Sequence, residues 1–251
     1  MRVPRVYLDQ ALQSGAELAL DKAAAHYLVS VLRLRADDAL IVFNGSGGEY
    51  TATLQSATNK QATIIVGSHS PGVAPSPVRI VLAIGLSRGE RMDWVIQKAV
   101  ELGVNEIIPL FTERCEVKLK GERALKKRGH WQQIAISACE QSQRNDVPTI
   151  KPAQPLMEFL TASAPPANSD LKLILDPRAE QSLSSTLLDK GSSTKTIVLL
   201  SGPEGGFSDG EVEQAQQKGV ISVGLGPRVL RTETAPLAAL SIVQALLGDM
   251  A

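Results

Sequence analysis

Residues 196–219 read TIVLLSGPEGGFSDGEVEQAQQKG. The run TIVLL at 196–200 is short, continuous and apolar, the pattern of a strand buried on both faces. SGPEGGF at 201–207 ends it with small residues and a proline. Ser208, with Glu211 three residues on, forms a capping box, so a helix is predicted over 208–218. Strand, glycine-rich turn and helix in this order make one β–α unit. Ligands of open α/β sheets bind outside the carboxyl ends of the strands. The turn therefore stands where a binding site is expected.

The same alternation extends in both directions. Downstream, VISVGL at 220–225 reads as a strand. A long loop with Pro227 follows, then a helix over 235–247 with Thr234 as N-cap and Pro236 in its first turn. Upstream, strands are predicted at 78–84, 106–111 and 171–175, with Pro109 marking the end of the second. Helices are predicted over 91–102, closed by Gly103, and over 122–141. Apolar residues at 92, 95, 96, 99 and 102 give the first helix its period, and Trp94 reads as core rather than as a base-stacking platform. Alternating strands and helices imply a largely parallel sheet covered on both faces.

Residues 68–77, SHSPGVAPSP, oppose helix and strand alike, and a domain boundary is placed there, giving domains 1–72 and 73–251. Before the seam the signals are short strands at 38–43, 49–54 and 61–66, one short helix at 23–31, and a turn at Asn44-Gly45 lengthened by the residues after it. A small barrel is the fold such strands favour, because closure removes exposed edges. Loops are expected at 162–168 and 190–194.

The 251 residues are 43% hydrophobic and 21% charged with a formal net charge of zero, so no global basic field announces nucleic acid. Two cysteines, Cys115 and Cys139, are expected to be reduced in a cytoplasmic protein. His26, His69 and His130 form no metal-ligand spacing with them, so no metal site is expected. MRVPRVYLDQ lacks the apolar centre of a signal peptide, and no membrane-spanning run is seen.

Three strand ends carry unusual chemistry: LDPR at 175–178, SGPEGGF, and LGPRVLRTETAP at 225–236. A phosphate cradle fits the second poorly, because it matches no phosphate-loop spacing and carries Glu204. Glycines that only shape tight turns are the plain alternative. In the third, Leu, Val and Gly are able to wall an apolar slot whose backbone groups read the edge of a planar base.

GPEGGF followed by LGPRVLRTETAPLAAL resembles the signature of the RsmE family, the 16S ribosomal RNA (uracil-N3)-methyltransferases of the SPOUT class. MRVPRVY, VLRLRADD, VFNG, SRGERMDWVIQKAVELGV, ERCEVKL, WQQIAISACEQSQRNDVPTI and LDPRA extend the likeness through most of the chain. Cys115 and Gln143 depart from it, standing where Ser and Gly are expected. The resemblance implies an α/β SPOUT domain with a trefoil knot, an exception to the rule against threaded chains. It also implies an N-terminal PUA-like β-barrel that binds RNA, S-adenosylmethionine as methyl donor, and a homodimer acting on the small ribosomal subunit.

On this resemblance, Gly202, Pro203, Glu204 and Gly205 shape one wall of the donor pocket. Leu225, Gly226, Val229, Leu230, Thr234, Ala235 and Pro236 hold adenine and ribose, and Leu175, Asp176 and Leu200 complete the pocket. Uracil N3 becomes nucleophilic as its proton leaves, and charge spreads onto the flanking carbonyl oxygens, where a guanidinium stabilises it. Arg231 is the first candidate and Arg228 the second. Glu204 is either the base or the partner of an arginine, and proton loss to solvent stays open.

Seven Lys and Arg against three Glu between residues 113 and 128 make a local basic surplus that suits RNA phosphates, or a solvated helix face. Arg114 and Lys118 belong to it, and Arg2, Arg5, Arg33, Arg35 and Arg144 are the other candidate RNA contacts. Two rival functions remain open here: methylation at another RNA position such as a ribose 2′-hydroxyl, and a non-catalytic role in ribosome assembly.

Overall fold

The computed structural model describes residues 3–58, 61–162, 170–190 and 194–250. Arg2 and most of the two loops expected at 162–168 and 190–194 lie outside the described residues. The chain divides into two units, one of Met1–Pro75 with Cys139–Val147, the other of Ser76–Ala138 with Pro148–Ala251.

In the first unit, β1 (Arg5–Tyr7), β2 (Glu17–Leu20), β3 (Ala39–Phe43), β4 (Glu49–Ala57) and β5 (Ala62–Ser70) form one sheet in the order β1-β3-β4-β5-β2. β1 runs parallel to β3, and the other pairings are antiparallel. Two register shifts between β4 and β5 bend the sheet. Its inner face packs Leu40, Val42, Leu54 and Ile64 against Leu28, which follows helix α1 (Lys22–His26). Asp21 caps that helix by accepting from the Ala24 N–H.

The segment Cys139–Val147 joins this unit through polar contacts that no local pattern announces. Arg5 is buried, with its side chain 5% exposed; it ion-pairs with Glu49 and donates to Asn145. Glu140 accepts from the Tyr7 N–H at 3.0 Å and from the Tyr27 hydroxyl at 3.4 Å. Burial pushes the Cys139 thiol up to about 12, which keeps it protonated and inert.

The second unit is a parallel sheet of β6 (Arg79–Gly85), β7 (Glu106–Phe111), β8 (Thr149–Ile150), β9 (Gln154–Pro155), β10 (Asp170–Leu175), β11 (Thr196–Ser201) and β12 (Ile221–Val223). The order is β12-β10-β11-β6-β7-β8, with β9 also on β7. The central strands are mostly apolar because helices cover them: α2 (Glu90–Glu101), α3 (Gly121–Ser142), α4 (Leu156–Ala162), α5 (Leu183–Lys190), α6 (Asp209–Gln217) and α7 (Thr234–Leu247).

Three sequence expectations change. Pro109 lies inside β7, opposite Ile84, not at its end. The Ile107 carbonyl accepts from the Lys151 N–H, so Pro109, two residues on, turns its missing donor to the same side. There it meets the break between β8 and β9, where no ladder bond is lost. Helix α7 starts at Thr234, with Glu233 at the cap position and no side-chain cap, so Thr234 is not the N-cap. Trp94 is 45% exposed and is not core. At about 100° per residue it falls opposite the stripe of Met92, Val95, Ile96 and Ala99.

Candidate functional site

β10, β11 and β12 lie side by side, and their carboxyl ends release the three loops singled out in the sequence. Backbone bonds lace the loops together: Asp176 N–H to Val223 carbonyl at 3.0 Å, and Gly224 N–H to Gln181 carbonyl at 2.8 Å. The Thr232 hydroxyl donates to the Gly202 carbonyl at 2.8 Å and lies 3.5 Å from the buried Ser87 hydroxyl. Between the loops is a cleft of about 410 Å³.

The turn SGPEGGF folds tightly on itself. The Gly206 N–H donates to the Pro203 carbonyl at 2.8 Å. A Cβ on Gly202 would stand 2.9 Å from the Gly206 backbone, which explains glycine at that position. A Cβ on Gly205 would meet Arg114, whose Nη1 donates to the Gly205 carbonyl at 2.8 Å.

Leu175, Asp176, Gly202, Pro203, Glu204, Gly205, Leu225, Gly226, Arg228, Val229, Leu230 and Ala235 all line the cleft. Leu200 does not; its side chain is fully buried in the core beneath, with Phe207 and Val212. Thr234 and Pro236 are also outside the lining, the first exposed and the second buried in the opening turn of α7. Arg231 is exposed away from the lining, whereas Arg228 is part of it. Thr232, Arg178, Phe207 and Val212 also line the cleft; all four stand in the quoted loop and helix stretches, but nothing in their local pattern shows which way they face.

Glu204 holds an arginine. Its carboxylate accepts from Arg91 Nη1 at 2.7 Å and from the Arg88 N–H at 3.1 Å. Partial burial pushes its pKa up, but hydrogen bonds from its own backbone, Arg91 and Arg88 outweigh this, and the net shift is downward. An ionised, paired carboxylate is a weak proton acceptor at neutral pH. Arg178 bridges the first two loops by pairing with Asp176 and with Asp209 at the start of α6.

The candidate RNA contacts separate by burial. Lys118, Arg33 and Arg35 are exposed. Arg5 is not a surface cation, because Glu49 and Asn145 hold its guanidinium inside the first unit. Arg144 keeps only 13% of its side chain exposed and pairs with Asp146. Within the basic stretch, Lys127 bonds Asp93 at 3.0 Å and Arg128 donates to the Ile150 carbonyl at 2.8 Å, so both serve packing of α3.

Residues 74–244 match the RNA methyltransferase domain family, and residues 20–67 match the RNA methyltransferase PUA domain family. A ribosomal RNA small subunit methyltransferase E from Buchnera aphidicola (subsp. Schizaphis graminum) is 36% identical over 249 residues, covering 99% of this chain and 98% of its own. The chain belongs to the ribosomal RNA small subunit methyltransferase E family. A member from Bacillus subtilis is 32% identical over 93% of this chain and 92% of its own. The crystal structure of a member from Neisseria gonorrhoeae, bound to S-adenosyl methionine, has a TM-score of 0.91 at 38% identity and full coverage of both chains. A Legionella pneumophila methyltransferase in complex with SAM has a TM-score of 0.92 at 39% identity, covering 99% of this chain and 100% of its own.

The family fold is thus an α/β SPOUT domain preceded by a small PUA-like β domain. Among the described residues no cluster of His, Cys, Asp and Glu is able to hold a metal, and no helix is long and apolar enough to cross a membrane.

Proposed function

We propose that this chain is an S-adenosylmethionine-dependent methyltransferase acting on uracil N3 in 16S ribosomal RNA of the small subunit. The cleft formed by the laced ends of β10, β11 and β12 carries the reading. Its volume suits a cofactor-sized molecule. Leu175, Leu225, Val229 and Leu230 offer apolar walls for a planar base, and the Gly202–Gly206 turn leaves backbone rather than side chain on the facing wall. Asp176 and Glu204 also line the cleft, each paired with an arginine, Arg178 and Arg91.

S-adenosylmethionine, when bound, supplies a methyl group already activated by a sulfonium charge. This chain's residues then mainly orient and stabilise. The main chain of residues 225–230 and the turn at 202–206 fix the donor. In this reading Arg228 stabilises charge on the uracil carbonyl oxygens, and its position on the lining supports that role. Glu204 keeps Arg91 in place and leaves the N3 proton to solvent. Homodimer formation, the trefoil knot and a cytoplasmic location belong to the same reading; β10 between β11 and β12, with loops laced across it, supports the threaded topology.

Mapping modified nucleosides in ribosomal RNA from a deletion strain tests the proposal. Loss of 3-methyluridine, restored by the wild-type chain, is expected. Loss of a ribose or other base mark instead redirects the substrate, and failure to bind S-adenosylmethionine in calorimetry with RNA present replaces the enzyme by a binding protein.

A further inference from the structure

Beside the donor cleft, the second unit has another cavity of about 580 Å³. Arg88 reaches it from the loop before α2 and Arg91 from the first turn of that helix, Arg114 from the loop after β7, and Glu113 and Glu116 also line it. Arg114, Glu204 and Gly205 line both cavities and form the partition between them. A group held in the second cavity is therefore one turn of chain away from the donor cleft.

Of the guanidiniums here, that of Arg88 is engaged with a weak partner. Arg88 pairs with Glu116 at 2.8 Å, and both side chains are 66% exposed. An ion pair that open contributes little in water. A phosphate offers the same fork of oxygens as a carboxylate and suits arginine equally. Lys118, Lys120, Arg123 and Lys126 are exposed along the chain that follows. A polyanion meeting them engages several cations at once, which a single tethered carboxylate does not.

We propose that this cavity seats a backbone phosphodiester of the acceptor RNA strand, which takes the place of the Glu116 carboxylate on Arg88. Glu116 is then a stand-in that holds the arginine until RNA arrives. The assignment rests on the RNA-methyltransferase reading above and adds where the strand is gripped.

The test is steady-state methyl transfer to small ribosomal subunits that lack the modification, with donor saturating and salt varied. Arg88→Ala is expected to raise KM for the subunits about five- to tenfold, and to lower the slope of log KM against log salt by roughly 0.7–0.9, one phosphate contact. Glu116→Gln is expected to act in the opposite direction, lowering KM on the order of threefold. Donor affinity by calorimetry stays at the wild-type value in both. A structural tie predicts harm, or no effect, from either change, so an unchanged or raised KM in Glu116→Gln overturns the proposal even if Arg88→Ala does not fold. Unchanged KM and slope in Arg88→Ala overturn it as well. A wild-type chain that methylates no uracil defeats the functional reading instead, which separates the two failures.

Discussion

The Thr232 hydroxyl donates to the Gly202 carbonyl at 2.8 Å and so ties the loop after β12 to the turn after β11. It adds to the backbone bonds Asp176 N–H to Val223 and Gly224 N–H to Gln181, and to the Arg178 bridge, in setting the spacing of the cleft walls. Thr232→Val keeps the shape and removes the donor. A hydrogen bond contributes about 0.5–1.5 kcal/mol, so donor affinity should fall roughly three- to tenfold. Thr232→Ser should bind like wild type. Calorimetry with S-adenosylmethionine checks both, and equal loss in the serine variant would place the effect in the methyl group rather than the bond.

Arg228 lines the cleft and Arg231 does not. Arg228→Ala should lower single-turnover rate by on the order of tenfold to a hundredfold with little change in donor affinity. Arg231→Ala should cost less than about threefold, since Arg231 meets the loop through its backbone carbonyl, which accepts from the Thr234 and Ala235 N–H groups. The reverse ranking would return the charge-stabilising role to Arg231.

Glu204 has a lowered pKa, so the sign of its pH dependence is set. Its ionised form contributes stability that is fully present above the ordinary glutamate value and is lost as pH falls through the lower folded value. Unfolding midpoints measured from neutral pH into acid should show that loss, and Glu204→Gln should flatten it. In methyl transfer, the same substitution should leave the midpoints of the pH–rate profile in place. A displaced limb would make Glu204 a proton carrier.

Arg5 belongs to the interior of the first unit. Arg5→Ala leaves Glu49 without its partner and should destabilise by about 3–5 kcal/mol in urea unfolding. Its KM for ribosomal subunits should keep the wild-type salt slope, because no phosphate contact is removed.

Gln143 has φ of 66°, in the left-handed region. The family resemblance implies glycine there, and a left-handed φ suits glycine. Gln143→Gly should leave stability unchanged or raise it by up to about 1 kcal/mol, whereas Gln143→Val should lower it. Thermal unfolding of the two variants distinguishes strain from an innocuous turn.

Much of the fold was legible because burial writes itself along each element. TIVLL, the capping box at Ser208 and Glu211, and the period of α2 all describe a residue's relation to its own neighbours in sequence. The glycines of SGPEGGF and Arg228 of LGPRVLR stand on the cleft, whereas Arg231 does not.

What the chain's local patterns do not carry is which side chain faces which space. Leu200 and Leu225 are alike in type, yet one is sealed in the core and the other lines the cleft, because β11 ends one residue after Leu200 and β12 ends before Leu225. Arg5 and Arg33 are alike in charge, yet Asn145, distant in sequence, buries the first. By itself the sequence determined the family, most of the longer strands and the helices α2, α3, α6 and α7; the short strands β1, β2, β8 and β9 and the helices α4 and α5 carried no signal strong enough to read. Only the tertiary structure decided the lining, the partners of Glu204 and Arg88, and the bond from Thr232, because each joins residues brought together by the return of distant strands to one sheet edge.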